Sequence, residues 1–171
     1  MLNSLRLIDL LKNAKYNIEV HEHDALFTVQ DSQELRGKIK GAHSKNLFLK
    51  NKKNEFFLLS CEESDRIDLK KISKSLDLGN VSFAKEEYLD RYLKIKPGSV
   101  SPFALLNDDV GKVNFYLERT LYESKHLNFH PLINTITITI ETDKFIEFMI
   151  ENNKKIHIFS SKDGAILKTY G

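Results

Sequence analysis

Three short segments place polar side chains next to turn-forming residues, an arrangement that can bind a ligand or act on it. One supplies a cation and an amide, one a glycine-proline loop with hydroxyl groups, and one an imidazole with a second amide. The segments are Lys45 and Asn46 ahead of an apolar run, the loop from Gly98 to Pro102, and His130 with Asn134 and Thr135.

The Lys45-Asn46 pair has two interpretations from the residues alone. Gly41 provides a turn, and Leu47-Phe48-Leu49 directly after the pair predicts a buried strand. A lysine at the start of such a strand either extends its ammonium to water along the surface or directs it into a pocket, and the residues alone favour the surface. Asn46 either positions a ligand with Lys45 or hydrogen-bonds to the backbone of the turn.

The loop from Gly98 to Pro102 and the segment from His130 to Thr135 also have structural alternatives. A Gly-x-x-x-Pro loop is usually a surface turn, and a histidine before a proline often holds a turn in place. Ser99 and Ser101 are not predicted to be nucleophiles, because neither lies in a Gly-x-Ser-x-Gly elbow and no Asp–His partner pattern accompanies them. Asn134 and Thr135 either line a pocket or hydrogen-bond within their own turn.

The remaining titratable residues predict neither a metal site nor a nucleotide cofactor. The histidines occur without a Cys-x-x-Cys, His-Glu-x-x-His or carboxylate pattern, so no metal is expected. No Gly-x-Gly-x-x-Gly or P-loop occurs. The single cysteine, Cys61, excludes an internal disulfide and is interpreted as a small core residue.

Length and composition predict one soluble domain over residues 1–171. Of the 171 residues, 41% are hydrophobic and 29% charged, and the net charge is only +2, which argues against a general nucleic-acid coat. No apolar run is long enough to cross a bilayer, and the first residues predict a helix and not a signal peptide. The lone cysteine suits a reducing cytoplasm. Positive charge is concentrated over residues 36–53, which suits a phosphate-bearing end or, alternatively, solvated turns.

The elements that must position the three segments follow from hydrophobic periodicity. Helices are predicted over residues 3–14, 28–36, 68–76, 85–92 and 143–152. Strands are predicted over residues 16–23, 46–50, 55–60, 113–117, 135–140 and, as the last strand, 156–159, with the second and third forming a hairpin. The mixture predicts an α+β or mixed α/β domain around a mixed sheet.

In their order and spacing, the three segments resemble the free-standing prolyl-tRNA editing proteins of the YbaK and ProX type. These proteins are single-domain relatives of the editing insertion of bacterial prolyl-tRNA synthetases, and the resemblance covers nearly the whole chain. It implies a twisted, partly barrel-like mixed sheet surrounded by helices, with no cofactor. Ile136 is a departure, because many relatives have a small residue after the Asn-Thr pair.

The resemblance also implies roles for individual residues. Lys45 matches the lysine that these domains need, and would hold the phosphate or ribose of a tRNA acceptor end. The Gly98–Pro102 backbone would lie against the ester, where amide groups stabilise an oxyanion. His130 would shape the amino-acid pocket. The implied substrate-binding residues are Asn46, Ser99, Ser101, Pro102, Asn134, Thr135, Phe27 and Thr28.

The implied activity is hydrolysis, in trans, of the ester in tRNA(Pro) mischarged with alanine. Cysteine on the same tRNA is the alternative substrate. A regulatory module that senses aminoacyl-tRNA or an amino acid without cleaving it is an alternative from another class. The implied partners are the acceptor end of mischarged tRNA(Pro) and, as an open question, prolyl-tRNA synthetase, with no membrane involved.

Overall fold

The computed structural model describes residues 1–26 and 29–171. Within them, the strands are β1 Glu19–Glu22, β2 Ala42–Asn51, β3 Phe56–Glu62, β4 Val81–Phe83, β5 Val113–Glu118, β6 His126–Phe129, β7 Ile136–Glu141, β8 Ile156–Ser160 and β9 Ala165–Tyr170. The α-helices are α1 Ser4–Asn13, α2 Val29–Arg36, α3 Leu69–Ser75, α4 Glu86–Tyr88, α5 Arg119–Tyr122 and α6 Thr142–Glu151. A π-helical turn, Leu89–Leu93, follows α4, and a 3-10 helix spans Pro102–Asn107.

The strands form one mixed sheet in the order β1-β7-β6-β2-β3-β5-β8-β9, with β4 paired to the end of β2. The pairs β2–β6, β3–β5 and β5–β8 are parallel, and the other pairs are antiparallel. No pairing joins the edge strands β1 and β9 in the part of the chain that is described, so the sheet is not closed. The predicted mixed α/β fold is therefore confirmed, as an open sheet surrounded by helices.

The hairpin formed by β2 and β3 divides the core into two clusters. Because side chains alternate along a strand, Phe48 of β2 and its partner Leu58 of β3 pack in the larger cluster. Leu49 and its partner Phe57 pack in a smaller cluster on the other face. The larger cluster takes the apolar faces of α1 and α6, whose buried residues include Leu7, Leu11, Phe145, Phe148 and Met149. Burial of such side chains stabilises the fold by about 1.5–3 kcal/mol each.

The predicted element order lacks several short elements of the structure. The prediction that residues 156–159 form the last strand is wrong: a turn at Gly164, whose φ is +61°, leads into β9. Most of β9 is exposed, so it lacks the alternating burial by which a strand is predicted. Strands β4 and β6 and the short helix α5 were also not predicted. None of the described helices has the length and apolarity required to span a membrane.

Candidate functional site

A small cavity lies where β2 and β6 part. The two strands pair only through Ala42 with Leu127 and His43 with Asn128, after which β2 continues along β3 and β6 along β7. The space between them, called here the fork cavity, has a volume of about 40 Å³. Its described lining residues are Leu26, His43, Ser44, Asn46, Glu63, Asn128, Phe129, His130 and Thr137.

Asn46 is fixed in the wall of the fork cavity by two hydroxyl groups. Ser60 of β3 donates a hydrogen bond to Asn46 Oδ1 at 2.5 Å, and Asn46 Nδ2 donates to Ser44 Oγ at 3.3 Å. The Ser44 hydroxyl donates in turn to the Asn128 carbonyl at 3.0 Å. These bonds assign the amide orientation, and the amide nitrogen has a second N–H to offer a ligand.

Asn128 ties the cavity wall to the start of β2. Its Nδ2 donates to the carbonyls of Lys40 at 2.8 Å and Ala42 at 3.3 Å, and its Oδ1 accepts from the Thr139 hydroxyl at 2.6 Å. Asn128 is 3% exposed, so these bonds satisfy polar groups that water reaches poorly. The wall is therefore polar and held rigidly from both sides of the fork.

His130 contributes a neutral imidazole to the fork cavity. Its Nδ1 lies 2.8 Å from the Ile136 carbonyl, an acceptor, so Nδ1 carries the proton. Burial lowers the pKa of His130, although the bond to Ile136 opposes this, and nearby His23 lowers it further. The neutral ring leaves Nε2 as an acceptor near neutral pH.

His23 supports the same wall from the neighbouring strand end. Its ring centroid lies 6.0 Å from that of His130, and its Nε2 lies 2.8 Å from Thr137 Oγ1. The His23 backbone N–H donates to the carbonyl of Thr135 at 3.0 Å. Thr135 thus anchors this contact through its backbone and does not line the described cavity.

Lys45 does not line the fork cavity, although Ser44 and Asn46 on either side of it do. It pairs with Cys61 across the hairpin, and its ammonium donates to the backbone carbonyl of Asp65. Lys45 lowers the pKa values of both Cys61 and Asp65, but burial outweighs this and raises the pKa of Cys61 to about 12. The ammonium is therefore outside the cavity, on the face of β2 opposite Asn46.

The Gly98 loop reaches the cavity region through Asn134. Gly98 has φ +86°, a conformation that favours glycine, and a Cβ added there would lie 3.3 Å from Asn134 Nδ2. Asn134 Nδ2 donates to the carbonyl of Leu26 at 3.4 Å, and Leu26 N–H donates back to the Asn134 carbonyl at 3.4 Å. Because Leu26 lines the cavity, Asn134 lies one contact behind its wall and Gly98 lies two contacts behind it.

The remaining residues of this loop face the core. Ser99 is 6% exposed, and Ser101 and Pro102 are buried. The Ser101 hydroxyl accepts from Phe103 N–H at 3.3 Å and caps the 3-10 helix. Phe27 and Thr28 lie outside the described residues. Across the described chain, no group of three or more His, Cys, Asp or Glu side chains is arranged to hold a metal ion.

Sequence reasoning missed five polar members of the cavity wall. His43 and Ser44 lie on β2, Glu63 follows β3, and Asn128 and Thr137 lie on β6 and β7. The alternation of Thr and Ile along β7 was a usable signal, since it marks one face of that strand as polar. The other four carry no local signal, because contacts between distant segments assemble them. The β2–β6 pairing joins residues about 85 positions apart, and Glu63 reaches β2 through the hydrogen bond from its N–H to the His43 carbonyl.

Comparison with known proteins identifies the family. The family model described as "Aminoacyl-tRNA editing domain" matches residues 23–148. The chain is 38% identical over 136 residues to prolyl-tRNA synthetase associated domain-containing protein 1 of Bos taurus, covering 77% of this chain and 79% of that protein. It is 30% identical over 135 residues to the prolyl-tRNA editing protein ProX of Acetoanaerobium sticklandii, covering 78% and 82%.

A solved structure shares the fold. The crystal structure of a "putative trans-editing enzyme for prolyl tRNA synthetase" covers 91% of this chain and 96% of its own, with a TM-score of 0.66 and 18% identity. At that identity the match establishes the fold alone. The family model and the relatives with 30% identity or more establish membership of the family. The chain belongs to the aminoacyl-tRNA editing domain family, that of the YbaK and ProX type editing proteins.

Proposed function

We propose that this protein is a trans-acting deacylase that hydrolyses the ester of tRNA(Pro) mischarged with alanine. Its family membership and its similarity to a prolyl-tRNA editing protein support a deacylase of the prolyl-tRNA editing type. The observation that carries the proposal is the fork cavity, which is small and polar and has the neutral imidazole of His130 in its wall.

The size of the fork cavity supports alanine as the amino acid removed. At about 40 Å³ it has room for roughly two or three water molecules. A space of this size suits a small side chain such as a methyl group better than a proline ring. A synthetase pocket shaped for proline gains only about 1–3 kcal/mol of discrimination per methylene against a smaller amino acid, so a second, smaller site supplies the rest.

The proposed reaction uses water as the nucleophile, with assistance from a hydroxyl of the terminal ribose. His130 Nε2 accepts a hydrogen bond from the water or from the amino group of the substrate. The second N–H of Asn46 stabilises the developing oxyanion from the cavity wall. Asn134 and Thr135 support that wall from behind, through their hydrogen bonds to Leu26 and His23.

Lys45 is assigned to the nucleic acid and not to the amino acid. Its ammonium has three donors, and the Asp65 carbonyl uses one of them. A phosphate at the acceptor end approaching this face of β2 would receive a charge-assisted bond from the others. In this assignment Lys45 acts from beside the cavity and not from within it.

Deacylation of alanyl-, cysteinyl-, seryl- and prolyl-tRNA(Pro) by the wild type tests the function. We expect the alanyl ester to be hydrolysed fastest and the prolyl ester to be spared. Faster hydrolysis of the cysteinyl ester would reassign the substrate. Binding of these tRNAs without turnover would refute a deacylase and favour a sensing module.

An alanine substitution tests the role of Lys45, and the same substitution at a second lysine is the control. We expect Lys45→Ala to lower kcat/KM at least tenfold, the order of one charge-assisted hydrogen bond. Lys52→Ala, in the exposed turn of the hairpin, is the matched control and should leave the rate within twofold. Equal rates for wild type and Lys45→Ala would remove Lys45 from the mechanism.

A further inference from the structure

We infer that Thr137 holds the nucleophilic water together with His130, and that His23 orients the Thr137 hydroxyl for this task. The inference rests on the proposed function and deepens it, because it assigns both hydrogen atoms of the attacking water to named acceptors. Thr137 is in this account a catalytic residue, which touches the reacting water. His23 is a positioning residue, which acts through Thr137.

The hydrogen atom of the Thr137 hydroxyl is directed to His23. His23 Nδ1 lies 2.7 Å from the carbonyl of Asp24, which can only accept a hydrogen bond, so Nδ1 carries the ring proton. In the neutral ring Nε2 is then an acceptor, and the Thr137 hydroxyl, 2.8 Å away, donates its only hydrogen to it. The oxygen of Thr137, a lining residue of the fork cavity, therefore has lone pairs left to accept from a ligand there.

The position of this oxygen is set by the backbone around it. Thr137 is 5% exposed and pairs across the sheet with His21 of β1, and a threonine side chain has few allowed rotamers. The backbone N–H of His23 donates to the carbonyl of Thr135 at 3.0 Å, so its imidazole is tied to the start of the strand that carries Thr137. The hydroxyl and the imidazole that orients it thus belong to one rigid pair of strands.

Two acceptors in one small polar cavity suit a molecule with two hydrogen atoms. His130 Nε2 is an acceptor because Nδ1 donates to the Ile136 carbonyl at 2.8 Å. A water needs two or more polar partners, and a volume of about 40 Å³ has room for a water beside a methyl group. A water that gives one hydrogen to His130 and one to Thr137 has its lone pairs free for the carbonyl carbon of the ester.

The resulting step balances without a protein nucleophile. A lone pair of the water oxygen forms a bond to the carbonyl carbon, and the hydrogen that faces His130 passes to Nε2 as this bond forms. The oxyanion then collapses, the bond from the carbonyl carbon to the ribose oxygen breaks, and the ribose oxygen takes the proton from Nε2. The products are alanine and tRNA(Pro) with its ribose hydroxyl restored, and His130 is neutral again.

Hydrolysis of two esters tests the role of Thr137. Alanyl-tRNA(Pro) is the substrate, and propionyl-tRNA(Pro), which lacks the amino group, is the comparison. Thr137→Val keeps the shape of the side chain but has no acceptor, so we expect it to lower kcat at least about tenfold on both esters and to leave KM within about twofold. Thr137→Ser restores the hydroxyl and should recover most of the rate.

A double-mutant cycle tests the role of His23. His23→Phe removes the acceptor of the Thr137 hydrogen, and we expect it to lower kcat for alanyl-tRNA(Pro). In the Thr137→Val background the same substitution should have no further effect, because His23 acts through Thr137. Losses that add in the double variant would overturn the positioning role of His23.

Thr169→Val is the matched control. Thr169 Oγ1 lies 2.9 Å from His157 Nδ1 where β8 pairs with β9, so this variant removes a threonine–histidine contact of similar length away from the fork cavity. Its kcat should equal that of the wild type. If thermal unfolding shows that Thr137→Val is not folded, Thr137→Ala removes the hydroxyl instead.

The outcomes separate this inference from the proposed function. Hydrolysis of neither ester by the wild type refutes the deacylase, and the inference with it. With an active wild type, an unchanged kcat in Thr137→Val, or a loss that Thr137→Ser does not recover, overturns the role of the hydroxyl and leaves the deacylase standing. A rise in KM at unchanged kcat, or a loss confined to the alanyl ester, assigns the hydroxyl to the amino group of the substrate and also overturns its role in holding the water.

Discussion

Replacing Asn128 tests whether its side-chain amide fixes β2 against β6 beside the fork cavity. Asn128→Ala removes three hydrogen bonds: two to the carbonyls of Lys40 and Ala42, and one from the Thr139 hydroxyl. At about 1 kcal/mol each, their loss amounts to about 3 kcal/mol of unfolding free energy. Because Asn128 borders the cavity, water can replace part of these bonds, and we expect a loss of about 2–3 kcal/mol.

Urea denaturation measures this loss directly, with an unchanged slope showing that the surface exposed on unfolding is the same. Thr139→Val removes the third bond together with the contact of the same hydroxyl with His21 Nε2 at 3.2 Å, and should cost about 1–2 kcal/mol. A loss below about 1 kcal/mol in Asn128→Ala would refute the claim that this amide fixes β2 against β6. Deacylation of alanyl-tRNA(Pro) should fall in parallel, since Ser44 hydrogen-bonds to the backbone of the same residue.

Asn128→Asp adds a test by pH. At neutral pH the variant has a carboxylate oxygen facing the two carbonyls that accept from Nδ2 in the wild type. We therefore expect Asn128→Asp to be less stable than Asn128→Ala. Burial raises the pKa of such a carboxyl in the folded state, so the folded chain binds the proton more tightly. Its stability is fully present below the unfolded value of about 4 and is lost as pH rises through the folded value. The gap between the two variants should therefore widen from about pH 4 to pH 7; a constant gap would contradict this account.

The remaining predictions concern three other residues of the site and core. Gly98→Ala should lower the unfolding free energy by about 1 kcal/mol or more, because φ is +86° and the new Cβ would lie 3.3 Å from Asn134 Nδ2. Gly37→Ala is the control, since no atom lies within 4 Å of its new Cβ, and it should leave the thermal melt unchanged. Cys61, whose pKa burial raises to about 12, should resist a thiol reagent at pH 8 until urea unfolds the chain; labelling at a free-thiol rate would contradict its burial. Burial lowers the pKa of His130, so its contribution to the unfolding free energy is present above about pH 6.5 and is lost as the pH falls below that value. The difference in unfolding free energy between wild type and His130→Asn should therefore shrink at lower pH. A difference that does not change with pH would contradict this.

Much of the fold could be predicted because its elements carry local patterns. Helices α1 and α6 bury one face each, and the β2–β3 hairpin has apolar runs on both sides of a polar turn. The strands that escaped prediction lack such patterns. Strands β4 and β6 are only three and four residues long, and β9 is mostly exposed, so none of them shows the alternation of a half-buried strand.

The candidate site could be predicted only in part. Asn46 and His130, singled out from the sequence, both line the fork cavity, whereas Lys45 and Gly98 lie beside or behind it. Turn-forming neighbours and motif spacing identify residues near strand ends, but they do not identify which face a side chain takes. Glu63 shows the limit: nothing near it in sequence sets it apart from Glu62, and its place at the cavity depends on the hydrogen bond from its N–H to the His43 carbonyl.

Side chains alternate between the two faces of β2, so successive residues have different surroundings. Asn46 faces Ser60 and the cavity, and Lys45 faces Cys61 and the Asp65 carbonyl on the opposite side of the same strand. An amino acid and a phosphate held by these two residues would therefore lie on either side of one backbone. Amide and carbonyl groups of that backbone are engaged with β3, so the strand is a rigid partition and the two contacts can change independently. Under the proposed function, we therefore expect the anchoring of the nucleic acid and the choice of amino acid to be separable properties, set by neighbouring positions of a single strand.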